Sequence, residues 1–159
     1  MDYLLYGTEK PANLGSIIRT AASFGVEKIY LFDKQGLMED EDSLRRMKDT
    51  SMGHFDDVEI CVVNDLEKFV SGYENIYSTT LRKGAKKIGI EEYGLKFEEN
   101  GLIIFGAETR GIPRELCRFE NVVIPTRGMN YCLSLPMAFG IVLYETLRQS
   151  QGFSSRGKN

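Results

Sequence analysis

Short apolar runs alternate with helix-period stretches along the chain. Residues 3–6, 28–32, 58–63, 76–80, 102–105 and 122–124 are β-prone and bounded by turn formers, so they predict six strands. The run Leu102-Ile103-Ile104-Phe105 has no polar position, which predicts a strand buried on both faces. Between the first two strands Ile17, Ala21 and Phe24 share one helical face, with Asn13 as the expected N-cap and Gly25 as the stop. Residues 43–50 predict a short helix with Arg45, Arg46 and Lys48 outward, Asp65 caps another through Val70, and Pro113 opens a helical turn. Helical spacing returns over residues 135–149, where Ser134 is placed to cap and Pro136 is tolerated in the first turn. Residues 81–100 are glycine-punctuated and charged and predict mostly loop.

A strand, a helix and a strand at the outset form a βαβ unit and imply parallel pairing. The expected fold class is α/β: a parallel sheet of about six strands flanked by helices, one domain over residues 1–150, with residues 151–159 as a polar, disordered tail.

Composition narrows the function classes. With 159 residues, 42% of them apolar and 27% charged, the chain has ordinary globular character and can bury a core. No apolar run reaches the roughly 20 residues that span a bilayer, and the start lacks a basic-then-apolar leader pattern. Cys61, Cys117 and Cys132 are odd in number and widely spaced, which suits reduced thiols better than a disulfide framework or a zinc site. A cytoplasmic protein with no membrane and no metal is therefore expected. The net charge of −3 weighs against a nucleic-acid partner only as an average, because basic residues gather at Arg45-Arg46, at Arg82-Lys83 with Lys86-Lys87, and at Arg110, Arg114 and Arg127. His54, the sole histidine, reads as a loop residue.

Three segments bring polar chemistry to strand and helix ends. In Asn13-Leu14-Gly15-Ser16-Ile17-Ile18-Arg19, Gly15 permits close approach by a chain or a ligand, and Arg19 lies six residues past Asn13. Gly106-Ala107-Glu108-Thr109-Arg110-Gly111 follows the most apolar strand; its spacing is not a dinucleotide fingerprint, and the chain has no Walker A sequence. Residues 124–136, beginning Ile124-Pro125 and containing Asn130, Cys132, Leu133 and Ser134, link a strand to the last helix. Each has an ordinary structural explanation when taken alone: a capped helix with a surface arginine, a sharp turn whose Glu108 pairs with an arginine, and a capped βα loop.

Taken in order, an N-x-G-x-x-x-R helix, a G-x-E-x-x-G turn and an I-P loop running into a helix with Tyr144-Glu145 resemble the SpoU (TrmH-like) branch of the SPOUT superfamily of RNA 2′-O-methyltransferases, over residues 3–149. The resemblance implies a C-terminal trefoil knot, a homodimer, S-adenosylmethionine (SAM) as the cofactor, and RNA as substrate, tRNA before rRNA. Carried onto this chain, the cofactor contacts fall at Ser78, Thr79, Gly106, Ile124, Cys132 and Leu133. Arg19, Glu108 and Ser134 take the catalytic positions, while Asn13, Arg19 and Arg110 face the RNA. A guanidinium stays protonated, so Arg19 suits phosphate binding and alkoxide stabilisation better than proton abstraction. Glu108 is expected to orient the site through hydrogen bonds to Arg19 or to backbone amides.

The third segment departs from the family's Leu-Asn-x-Ser pattern. Here Leu133-Ser134-Leu135-Pro136 puts serine where asparagine is usual and proline where serine is usual. Ser134 retains a hydroxyl of shorter reach; Pro136 has neither a hydroxyl nor an amide hydrogen. An RNA-binding protein of the same fold with a degenerate site is the alternative reading.

Overall fold

In a computed structural model, which describes residues 1–89, 95–128 and 132–150, the apolar runs pair into one parallel sheet. The strands are Asp2–Tyr6 (β1), Lys28–Phe32 (β2), Glu59–Val62 (β3), Ile76–Thr79 (β4), Lys86–Lys87 (β5), Leu102–Phe105 (β6) and Glu120–Val123 (β7). The α-helices are Pro11–Ser23 (α1), Glu41–Ser51 (α2), Leu66–Val70 (α3) and Leu135–Gln149 (α4). Short 3₁₀ turns occupy Phe55–Asp57 and Arg114–Arg118. Seven strands replace the six expected, in the order β3-β2-β1-β6-β4-β7-β5. The additional strand, β5, lies within the stretch expected to be mostly loop. It is two exposed lysines long, so it carries no apolar signal, and it is held by backbone pairing to Val122 and Val123 and by Lys86–Glu120 at 2.8 Å.

Strand alternation divides the core between the two faces of the sheet. Tyr3, Leu5, Ile103, Phe105 and Tyr77 pack with α1 and α4, whereas Leu4, Leu102, Ile104 and Ile76 pack with α3 and the Arg114–Arg118 turn. β6 is fully buried at all four positions, as a strand covered on both faces must be. The side chains of Tyr3 and Phe105 meet Phe139 of α4 edge-on or tilted, at 5.6 and 5.3 Å between ring centroids.

Helix starts differ from expectation for a clear reason. Pro11 is pre-set for the first helical turn, so α1 begins there with Lys10 as its N-cap, and Asn13 lies inside the helix with its side chain free for another task. Gly15 serves packing: a Cβ there would stand 2.4 Å from the Met47 carbonyl oxygen, so this glycine admits α2 of the same chain, not a ligand. The expected tail, residues 151–159, lies outside the described residues.

β1 and β6 are neighbours, with Asp2 opposite Leu102 and Leu5 opposite Phe105. From β1 the chain runs outward to β2 and β3, whereas from β6 it runs to β7 on the other side. Their carboxyl ends therefore flank a crevice where connections diverge, the place where open α/β sheets bind ligands.

Candidate functional site

A cavity of about 350 Å³ opens beside this crevice, beyond the carboxyl ends of β4, β6 and β7 and against α4. That size suits a small organic ligand. Thr79, Gly106, Ile124, Cys132 and Leu133 all line it, as do Glu108 and Arg110. Ser78 does not line it. One residue earlier on β4, its side chain points to the opposite face, is fully buried and donates to the Leu116 carbonyl at 2.7 Å. Thr79, on the cavity side, donates to the Ile104 carbonyl at 3.1 Å.

Leu135, Ala138 and Val142 also line the cavity, from the face that α4 turns toward the sheet. Their spacing of three and four was visible in the sequence; that this face would meet a strand edge was not. Ile88, after β5, is a further lining residue, reached because its amide donates to the Val123 carbonyl at 3.0 Å.

The turn after β6 closes on itself. Ala107 and Gly111 exchange backbone hydrogen bonds of 3.2 and 2.8 Å, and Gly111 adopts φ +64°, which glycine accepts without strain. This closure points Glu108 across the crevice to the β1–α1 segment. One carboxylate oxygen accepts from the Glu9 amide at 2.8 Å, and the other accepts from the Asn13 side-chain amide, also at 2.8 Å. The Thr109 hydroxyl donates to the Glu9 carboxylate. One partner of Glu108 is thus a backbone amide, one of the two kinds expected, while its side-chain partner is Asn13 and not Arg19.

Arg19 is exposed, six residues along α1 from Asn13, outside the cavity lining and without an ion pair among the described residues. Arg110 is exposed at the cavity rim. Ser134 is the N-cap of α4 by position, with its backbone oxygen accepting from Ala138 at 2.9 Å, but its side chain makes no capping bond. Asn130 lies outside the described residues. His54 sits in a short exposed turn, 2.7 Å from Asp57.

Glu145 of α4 is buried and, together with Gln149, fastens the chain on both sides of residues 90–94. It accepts two bonds from Arg148 and one from Gln149, each 2.8 Å, and a further bond from the Gly89 backbone. Gln149 in turn accepts from the Phe97 amide at 2.8 Å and donates to the Leu95 carbonyl at 3.3 Å. The Arg148 guanidinium foremost, with Gln149 and Gly89, holds the Glu145 carboxyl below the usual carboxylate range despite burial. A lowered folded pKa contributes stability above the unfolded value of about 4.3, and that contribution is lost as pH falls through the folded value. Glu145→Gln is therefore expected to be less stable than wild type at pH 7, with the two thermal-melting profiles converging below about pH 4. Parallel profiles would show that the charge contributes nothing.

Opposite the buried face of α4, Met137 and Tyr144 are 56% and 51% exposed, with Ile141 and Leu147 partly buried beside the core. Met137 and Tyr144 thus stand outside the core, while Ile141 and Leu147 pack against it. Among the described residues no group of His, Cys, Asp and Glu could hold a metal, and no helix is long and apolar enough to cross a membrane.

Comparison with known proteins matches residues 3–144 to the SpoU rRNA Methylase family. The chain is 27% identical to a tRNA (cytidine(34)-2′-O)-methyltransferase of Burkholderia ambifaria, with 94% of this chain and 95% of that protein covered. It is also 27% identical to a tRNA (guanosine(18)-2′-O)-methyltransferase of Thermus thermophilus, covering 94% of this chain and 75% of that one. Among solved structures, a protein studied for 2-OH methylation of C/U34 on tRNA superposes with a TM-score of 0.79 at 28% identity, over 95% of this chain and 96% of that one. An AdoMet-bound rRNA methyltransferase from Sinorhizobium meliloti superposes with a TM-score of 0.74 at 26% identity, over 92% of this chain and 55% of that one.

Proposed function

The chain belongs to the SpoU rRNA methylase family, and from that premise we propose that it transfers a methyl group from SAM to a ribose 2′-hydroxyl of tRNA, acting in the cytoplasm. The carrying observation is the Glu108 bridge, which ties the start of α1 to the turn that walls a cofactor-sized cavity at the sheet's switch point. Near-full coverage of tRNA 2′-O-methyltransferases points to the same substrate class.

The cavity fits SAM. Apolar walls from Ile88, Ile124, Leu135 and Val142 suit an adenine ring, and the backbone just after β6 at Gly106 and just before α4 at Leu133 offers hydrogen-bonding groups at close range. SAM supplies an electrophilic methyl carbon on a sulfonium. The protein's task is to hold the hydroxyl oxygen in line with that carbon and to favour charge developing on the oxygen. With its amide nitrogen committed to Glu108, Asn13 keeps its carbonyl oxygen as an acceptor, the polarity that a hydroxyl proton needs. Arg19, exposed on the same helix, is suited to hold an RNA phosphate in two-pronged fashion and to stabilise alkoxide character. Arg110, at the rim, is a second phosphate contact in this reading, and Ser134, exposed between the lining residues Leu133 and Leu135 but not itself lining the cavity, supplies a hydroxyl beside it. Thr79, Gly106, Ile124, Cys132 and Leu133 form the cofactor's surroundings, while Ser78 supports them from the far face. The C-terminal trefoil knot, and a homodimer formed through the exposed α4 stripe of Met137 and Tyr144, belong to the same proposal.

Incubation with methyl-labelled SAM and separate pools of unmodified tRNA and rRNA tests it. Label is expected in tRNA, in nucleotides whose 3′ linkage has become resistant to alkali, as 2′-O-methylation requires. Absence of label in any RNA would sink the catalytic reading, and failure to bind SAM as well would favour a degenerate site.

A further inference from the structure

A lysine with no place in the three motifs stands at the same sheet edge. Lys34 follows β2, and its amide and that of Gly7 both donate to the Phe32 carbonyl, at 3.1 and 2.9 Å, so the ends of β1 and β2 are tied together there. Asp33 fixes the following turn by accepting from the amides of Gln35 and Met38, at 3.3 and 2.9 Å. The Lys34 Nζ lies 5.3 Å from the centroid of the Tyr6 ring and 3.4 Å from its hydroxyl. Tyr6 in turn stacks on Phe32, with ring centroids 5.4 Å apart and an interplanar angle of 22°. A lysine head is ordinarily a mobile, hydrated charge; here ring and hydroxyl give it a fixed seat.

Its position is next to the site. The point that a Gly7 Cβ would occupy is 3.3 Å from Lys34 Cδ and 3.9 Å from the Cβ of Ala107, a cavity-lining residue. Lys34 makes no ion pair with a carboxylate among the described residues, whereas Lys28, Arg45, Lys86 and Arg148 all do. The neighbouring carboxylates of Glu9 and Glu108 are occupied by Thr109, Asn13 and a backbone amide. An exposed cation near the turn that carries Glu108 offsets charge that would otherwise repel an RNA backbone approaching the cavity.

We propose that Lys34, seated on the Tyr6–Phe32 pair, binds a backbone phosphate of the tRNA beside the nucleotide whose ribose enters the site. This inference rests on the tRNA reading above. It adds a phosphate contact on the β1–β2 side of the crevice, next to the turn that carries Arg110.

The test is tRNA binding measured against salt for wild type, Lys34→Gln and Lys34→Arg, alongside SAM affinity, melting temperature and methyl transfer. Lys34→Gln is expected to bind tRNA about tenfold more weakly, with the slope of log affinity against log salt smaller by about 0.7 to 0.9, the value of one phosphate contact. SAM affinity and melting temperature stay at wild-type values, and Lys34→Arg recovers most of the tRNA affinity. An unchanged salt slope in Lys34→Gln overturns the inference, even if affinity falls, because a lysine acting only through local packing would leave that slope alone. If wild type methylates tRNA normally while Lys34→Gln behaves identically, this inference alone fails. If wild type neither binds nor methylates tRNA, the functional reading fails first and takes the inference with it.

Discussion

Arg19→Ala is expected to lower the rate of methyl transfer to tRNA by about 100- to 1,000-fold, the usual effect of removing one group that stabilises transition-state charge. The same substitution should leave the fold and SAM binding intact. Arg19 is exposed, bonds no carboxylate among the described residues and lies outside the cavity, so its loss falls in the class of surface changes within about 0.5 kcal/mol. Single-turnover rates with tRNA, calorimetry with SAM and thermal melting together check this. A variant that melts and binds SAM as wild type but transfers methyl slowly supports the role. Arg19→Lys should recover little, because an ammonium cannot hold a phosphate in the two-pronged way of a guanidinium. Transfer by Arg19→Ala at the wild-type rate would remove Arg19 from the mechanism.

The separation between Arg19 and the cavity explains which parts of the site were legible in the sequence. The first two motifs meet at the carboxyl edge of the sheet through the Glu108–Asn13 bond, and the apolar run of residues 102–105 became a strand buried at every position, as expected. Thr79, Gly106, Ile124, Cys132 and Leu133 fell together because each lies at or just past a strand end or shortly before α4, where topology leaves little freedom. Ser78 fell away because adjacent strand positions face opposite sides, a distinction that depends on where the last strand residue sits. Asn13 was readable as a polar residue near a helix start, but Pro11 moved that start, so its amide reached Glu108 instead of capping. The Glu108–Asn13 bond spans 95 residues, and no local pattern encodes such a pairing. Gly15 likewise announced a close approach without saying by what, and the answer, α2, comes from tertiary packing alone. Lys34 and β5 carried no periodic signal, since both depend on the strand that folds beside them.

Gly106→Ala is expected to be the most damaging small change in the cavity wall. A Cβ at this position would lie 2.3 Å from the Gly111 carbonyl carbon and 2.5 Å from the Ile112 nitrogen, where carbon contacts normally need about 3.5 Å or more. Both obstacles are backbone, so no side-chain rotation relieves them, and the turn must open. Opening it loses the two Ala107–Gly111 hydrogen bonds, each contributing about 0.5–1.5 kcal/mol, and displaces Glu108 from Asn13 and Glu9. Against this, replacing a glycine stabilises by only about 0.4–1 kcal/mol where the backbone can accept a side chain. The net result is a loss of roughly 2–3 kcal/mol, within the usual cost of overpacking, together with a fall in SAM affinity because the wall itself has moved. Gly140→Ala is the contrasting case. Its Cβ would meet only the Thr20 Cγ2, at an ordinary 3.6 Å, inside α4, so helix propensity decides and stability should rise by up to about 1 kcal/mol. Chemical denaturation and SAM calorimetry on both variants separate these outcomes. A Gly106→Ala protein as stable as wild type and with unchanged SAM affinity would show that the turn is not the rigid wall this geometry requires.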